Sequence, residues 1–163
     1  MKQPAKTTLP LDERQIPVQI KLAAAWASFM FLYLYVDHLV LYKPGVVDGI
    51  LAGMMWEFEV SQTLVTVAFA SLAIPAFMIL LSMTLPARVS RGANLVVAAL
   101  NIPYAIFNAV GETWTYFFGL SIGLELLILA FILRAAWTWP RTAAPSIAEP
   151  VATADRLRQQ AHA

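Results

Sequence analysis

Charge is nearly absent from four long apolar stretches of this chain, and ten of its eleven Lys and Arg residues gather on one side of them. Lys2, Lys6, Arg14 and Lys21 precede or open the first stretch, and Arg88 and Arg91 separate the second from the third. Arg134, Arg141, Arg156 and Arg158 end or follow the fourth, and Lys43 alone lies on the other side, between the first and second. Cytoplasmic flanks of membrane helices accumulate Lys and Arg. The pattern therefore predicts four spans with both termini inside, an all-α membrane-spanning four-helix bundle in the cell membrane.

Composition supports this reading. The apolar fraction is 60%, against roughly 45–50% in soluble domains. The charged fraction is 13%, about half the usual share. A formal net charge of +1 thus reflects sorting of charge by side, not weak electrostatics. The length of 163 residues leaves room for one domain, most of it used in crossing the bilayer. The basic residues sit singly at span ends, so no nucleic-acid partner is expected. Lipid is the expected partner, with a second copy or a larger membrane complex as protein partner. The chain has no cysteine, which excludes disulfides, thiolate chemistry and cysteine-held metal clusters. Asp12 and Glu13 before the first apolar run, with no small-residue cleavage pattern after it, speak against a cleaved signal peptide.

Residues 1–19, with Pro4, Pro10 and Pro17, read as a flexible tail. The uncharged run Leu22–Val36 has 15 residues, too short for a hydrocarbon core of roughly 30 Å at about 1.5 Å per residue. The first span must therefore cover 20–42 and carry Asp37 and His38 in its outer part. Tyr42, Lys43, Pro44 and Gly45 end it with an interfacial aromatic, a snorkelling amine and a turn pair. The segment 46–59 contains Val46, Val47, Ile50, Leu51, Met54, Met55 and Trp56, too apolar for a solvated loop. A short helix in the outer interface, or one capping the bundle, is expected there. The remaining spans are placed at 60–82, 92–111 and 114–137, with a tight turn at 85–91 and a very short outer hairpin at Glu112 and Thr113. Trp137, Trp139, Pro140 and Arg141 close the last span at headgroup level. Residues 142–163 read as a disordered tail with one helical turn near Asp155–Gln160.

The stretch from Lys21 to Arg141 resembles a family of small, uncharacterised bacterial membrane proteins with four predicted helices. The resemblance is carried by Lys21-Leu22, Trp26-Ala27-Ser28, Met30-Phe31, Tyr33, Tyr35, Asp37, Pro44-Gly45, Ile74-Pro75, Glu125 and Ala136-Trp137-Thr138-Trp139-Pro140. Where the family usually has a glycine before the aspartate, this chain has Val36. The resemblance implies the four-helix topology and no mechanism.

Polar residues inside the spans are the candidate functional groups. Glu125 lies near the middle of the fourth span, where a charge costs at least about 2.5 kcal/mol on insertion scales. Asn101 is at similar depth in the third, and Ser121 is one turn before Glu125 on the same helix. One reading makes Glu125 a proton-accepting group on a transport path. The other makes it a protonated hydrogen-bond donor to Asn101, to Ser121 or to a carbonyl. Asp37, His38, Glu59, Gln62, Asn108 and Glu112 form a second candidate group, an outer polar cluster with Asp37 or His38 facing inward; the alternative places both of these solvated at headgroup level. Asp37 and His38 are adjacent and must point in different directions around a helix.

Gly119 and Gly123 form a small-xxx-small pair, expected to pack against another helix of the same chain. Pro75 and Pro103 free the carbonyls of Ser71 and Ala99. No metal site and no cofactor are expected, because no HxxxH, ExxH, HExxH, GxSxG or Gly-rich phosphate loop is present. Two functions are consistent with these residues. One is a non-enzymatic structural or accessory membrane component. The other is a small proton- or solute-conducting transporter or channel that uses Glu125, entered from the Asp37 and His38 end.

Overall fold

The structure, a computed structural model, describes residues 16–140. Most of the expected N-terminal tail and all of the 142–163 tail lie outside the described residues. So do six of the basic residues used above: Lys2, Lys6, Arg14, Arg141, Arg156 and Arg158. The described chain is mostly helical, in the order α1 (Val18–Val40), α2 (Val46–Leu51), β1 (Met54–Met55), β2 (Phe58–Glu59), α3 (Gln62–Thr84), α4 (Ala87–Phe107) and α5 (Thr115–Trp137). Three of these helices, α1, α3 and α5, are long and apolar enough to cross a membrane. The fourth long helix, α4, carries Arg88, Arg91, Asn94 and Asn101 and is not among them.

Local chemistry sets the boundaries. Leu85 is extended at ψ 149° and Pro86 follows at φ −54°. Proline disfavours helical backbone in the residue before it and has no N–H to continue the ladder, so α3 stops and α4 starts within two residues. Ser90 and Arg91, expected in a turn, instead lie in the first turns of α4. That helix ends at Phe107, so the expected two-residue hairpin at Glu112 and Thr113 becomes a connection over 108–114, with Gly111 at φ 85°. Ser61 caps α3 by accepting a hydrogen bond from the Leu64 N–H at 3.1 Å.

The 46–59 segment departs from an all-α description. It forms α2 and then a small antiparallel hairpin that pairs Met54 with Glu59 and Met55 with Phe58. Trp56, in the hairpin turn, has φ 60°, a left-handed conformation that costs an L-residue of this bulk about 1–2 kcal/mol.

The four long helices pack pairwise, α1 against α3 and α5, and α4 against α3 and α5. Two ends result. The termini end holds residue 18, the Leu85–Pro86 turn and residue 137. The hairpin end holds 41–61 and 108–114. The core lies toward the termini end: Leu22, Trp26 and Phe29 of α1 meet Met78 of α3, Ala98 of α4, and Leu129, Ile132 and Ala136 of α5. At its centre Asn94, itself fully buried, accepts hydrogen bonds from the Trp26 indole N–H at 2.7 Å and the Ser82 hydroxyl at 3.1 Å. Its amide donates to the Ser90 carbonyl at 2.8 Å. Arg91 donates to the carbonyls of Ala136 and Trp137, at 3.1 and 3.4 Å, and so caps the C-terminal end of α5.

The outer faces carry large apolar side chains such as Phe69, Leu80, Leu120 and Leu127, all more than half exposed. Gly119 and Gly123 are on this outside too. A methyl group added at either would meet nothing within 4 Å, so the close packing within the chain expected for this pair is not found. The reason is rotational. Phe118, Ser121, Glu125, Leu129, Ile132 and Ala136 form the inward stripe of α5, and the glycines fall on the opposite side of the same helical period.

Candidate functional site

The inward stripe of α5 changes character along its length. From Leu129 onward it fills the core, whereas Phe118, Ser121, Ile122 and Glu125 line a cavity of about 930 Å³ that extends toward the hairpin end. The other walls follow from helical spacing. Tyr33, Val36, Asp37 and Val40 come from one face of α1, Leu64, Val67, Ala68 and Ser71 from α3, and Tyr104, Ala105 and Asn108 from α4. The turn after α1, the inner edge of α2 and the small hairpin cover it, through Gly45, Val46, Ile50, Met54 and Trp56.

Each polar group in the cavity is positioned differently. A chain of hydroxyls and an amide crosses it: the Asn108 amide donates to the Tyr33 hydroxyl at 2.8 Å, Tyr33 donates to the Tyr104 hydroxyl at 3.5 Å, and Tyr104 and Ser71 hydroxyls lie 3.3 Å apart. At the mouth, Glu112 accepts hydrogen bonds from the Lys43 ammonium and, at 2.9 Å, from the Trp56 indole. One carboxylate thus ties together the turn after α1, the hairpin and the α4–α5 connection. The indole contact helps hold Trp56 in its left-handed turn. Lys43 also lies 5.9 Å from the centre of the Phe118 ring, a cation–π distance. Burial alone would raise the Glu112 carboxyl. The Lys43 and Trp56 hydrogen bonds, the ammonium charge and the Thr113 backbone N–H outweigh burial and hold it below its ordinary value of 4.5.

Glu125 stands apart. It is 4% exposed, its side chain faces the cavity, and among the described residues no hydrogen bond reaches its carboxyl. The two side chains expected as partners are occupied elsewhere: the Asn101 amide donates to the Val97 carbonyl at 2.9 Å, and the Ser121 hydroxyl donates to the Phe118 carbonyl at 3.0 Å. Each satisfies itself within its own helix, as short polar side chains readily do. Ser121 still shares the cavity with Glu125, and Asn101 does not line it.

Of the expected outer cluster, Asp37, Asn108 and Glu112 line the cavity. His38, Glu59 and Gln62 do not: His38 is exposed and stacks edge-on with Tyr42 at 6.0 Å, Glu59 is exposed on β2, and Gln62 opens α3 at the surface. Among the described residues no group of three or more His, Asp or Glu side chains could hold a metal ion. A second recess, about 420 Å³, lies between α1 and α5 and is lined by Ile20, Ala24, Leu127 and Phe131 with Lys21 as its one ionisable group. It converges no polar chemistry and belongs to the apolar exterior.

Sequence reasoning overlooked Asn94, Tyr104 and the latch at Glu112. Asn94 is two residues past the expected start of its span, a depth at which an amide reads as solvated. The available signal was the Ser90–Asn94 spacing, one helical turn on one face.

These elements define a class: a helical protein with three membrane-competent helices and an amphipathic cavity in its hairpin half. The chain matches a family of unknown function (DUF6326) over residues 12–145 and belongs to it. No curated protein and no solved structure matches it.

Proposed function

We propose that this chain is a multi-pass protein of the cell membrane, a four-helix bundle with both termini cytoplasmic, that takes up a small solute without enzymatic chemistry as a step in moving it across the bilayer. The observation that carries this reading is the cavity, which joins the hairpin end to Glu125. Its volume falls within the roughly 300–1,000 Å³ typical of small-molecule sites. A purely structural bundle gains nothing from a buried carboxyl without a partner, since intramembrane acids are costly wherever they occur.

Two further features support it. The helix α4 lies between α3 and α5, and its 21 residues reach about 31 Å at 1.5 Å per residue, so it crosses with its neighbours and hides its amides inside. Lys21, Arg88, Arg91 and Arg134 lie toward the termini end and Lys43 at the other, which supports a cytoplasmic termini end. The solute then enters from outside, and the packed termini half closes the path. Pro75 and Pro103 sit between the two halves: Ser71 and Tyr104 line the cavity, while Met78 and Ala98 belong to the core. Each proline removes one helical hydrogen bond where the closed half would have to open.

Two measurements test this. Cysteine at Ser121 should react with a small thiol reagent and be protected by Ala68→Trp, which fills the cavity, while cysteine at Ala98 should stay inert. Proteoliposomes should accumulate at least one member of a panel of cationic, anionic and neutral amphiphiles, and Ala68→Trp should stop it. An unreactive Ser121 cysteine and no uptake of any panel member would leave the structural role as the better account. For orientation, cysteines at Asp48 and Thr113 should label from outside intact cells, and one at Arg88 only after the membrane is opened. Ser90 would be a poor probe because it is fully buried.

A further inference from the structure

We propose that the solute held in this cavity is a lipophilic organic cation, an amine or other onium whose charged centre lies beside Glu125 and Asp37 while its apolar body fills the volume toward α2. The inference rests on the solute-handling reading above and specifies its ligand class.

The charges lining the cavity decide the sign. Three carboxyls, Asp37, Glu112 and Glu125, and one ammonium, Lys43, face it. Lys43 and Glu112 neutralise one another, which leaves buried Glu125 and, at an exposed position on the cavity wall, Asp37, with no base beside them among the described lining residues. An anion placed there would meet two carboxyls and find the only ammonium engaged. Glu125 adds an independent observation. It is nine-tenths buried, points into the cavity and has no hydrogen-bond partner among the described residues. Among the described residues no buried side-chain oxygen or nitrogen lacks a partner, so the unbonded Glu125 oxygens are open to the cavity, where an incoming group can meet them.

The walls decide the rest. Val36, Val40, Ile50, Met54, Leu64 and Val67 offer an apolar surface that a hydrated inorganic cation or a proton would not use. A volume of about 930 Å³ is many times that of a single metal ion. Tyr33, Tyr104, Trp56 and Phe118 add aromatic rings to the lining, and desolvated onium groups are attracted to such rings. The combination of apolar walls, aromatic rings and unpaired carboxyls matches an amphipathic cation.

Protons should compete with this ligand. The titratable groups facing Glu125 are Tyr33 and Asp37 from α1, Tyr104 from α4, and Lys43 and Glu112 at the mouth. The α3 wall contributes the hydroxyl of Ser71 and no titratable side chain. Phenols already carry their proton at neutral pH, so a proton entering the interior is taken by a carboxylate, Asp37 or Glu125, and the cation is displaced.

The test uses the full chain in lipid nanodiscs and three probes of similar size: tetraphenylphosphonium, its anionic counterpart tetraphenylborate, and neutral triphenylphosphine oxide. Binding is read by equilibrium dialysis against nanodiscs without protein. The phosphonium should bind saturably and the borate should not. Glu125→Gln should weaken the phosphonium by about tenfold or more, equivalent to about 1.4 kcal/mol, and Asp37→Asn by less. Acidification of the unmodified protein should release the probe, a readout that does not depend on any variant folding. Equal binding of all three probes, blocked by Ala68→Trp but indifferent to Glu125→Gln and to pH, would overturn the cation assignment and leave the solute-handling reading intact. No phosphonium binding overturns the cation assignment outright. If the Ser121 cysteine is also inert, the cavity reading fails with it.

Discussion

The two halves of this molecule are built from the same four helices and use polar residues in opposite ways. In the termini half, Asn94 is surrounded by Trp26, Ser82 and Ser90, all fully buried and mutually hydrogen-bonded. In the hairpin half, Glu125 is almost as buried but faces a cavity without a partner. Satisfied polar groups in a low-dielectric interior lock one arrangement, whereas the Glu125 oxygens stay open to the cavity and to whatever enters it. The same helix, α5, takes part in both. Its stripe reads Phe118, Ser121, Glu125 and then Leu129, Ile132, Ala136, open at one end and solid at the other. One half holds the shape and the other half is left available.

The largest test of that contrast is Asn94→Leu. It orphans the Trp26 indole and the Ser82 hydroxyl together, at about 1–2 kcal/mol each for interhelical bonds in membranes, so a loss of about 2–4 kcal/mol in a denaturation titration in mixed micelles is expected. A loss below 1 kcal/mol would mean that the termini half does not depend on its polar centre.

The latch should rank second. Glu112→Gln keeps the shape but removes the charge that Lys43 and Trp56 share, at a cost of about 1–2 kcal/mol for a charge-assisted contact. The carboxyl is held below its ordinary value of 4.5 in the folded chain. Its contribution is therefore fully present above that value and fades as pH falls below it, through the lowered folded value. Melting followed by indole fluorescence should show this acid-side loss in the unmodified chain and not in the Gln variant. An identical pH profile for both would remove Glu112 as the tie across the mouth.

A smaller change, of opposite sign, is expected at Gly123→Ala. The site is exposed and open, so the gain in helix propensity of about 1 kcal/mol should appear undiminished in thermal stability. If the variant instead loses stability or changes oligomeric state, the Gly119 and Gly123 face is an interface between copies. The smallest effect belongs to Glu125. Because no hydrogen bond is lost, Glu125→Leu should change unfolding free energy by no more than about 0.5 kcal/mol or stabilise slightly, as apolar replacements of unpaired buried polar groups do. A penalty comparable to that of Asn94→Leu would mean that Glu125 has a structural partner, and the contrast between the halves would disappear.

Much of this architecture was legible in one dimension. The expected bounds of α1, α3 and α5 lie within two residues of the helices found, while α4 starts five residues earlier than expected, because the apolarity of a run marks only its apolar part. The Leu85-Pro86 break, the apolar 46–59 segment and the placement of Ser121 and Glu125 on a different face from Gly119 and Gly123 are likewise local consequences of proline geometry, composition and the 3.6-residue period. The sequence also singled out Glu125 as costly before any contact was known.

Partnership was decided by the tertiary structure alone. Asn101 and Glu125 are at compatible depth, yet Asn101 turns back to Val97. Asn94, which the sequence reading passed over, is the centre of the core, and the glycine pair faces outward. The physical reason is that depth along a membrane helix follows from counting residues, whereas rotation about its axis follows from how the helices pack on one another. A rotation of about 100°, one residue's worth, moves a side chain from a cavity to the exterior. Hydropathy therefore determines where Glu125 sits along the chain's path, and only the packing of α1, α3, α4 and α5 determines that it faces a cavity shared with Asp37.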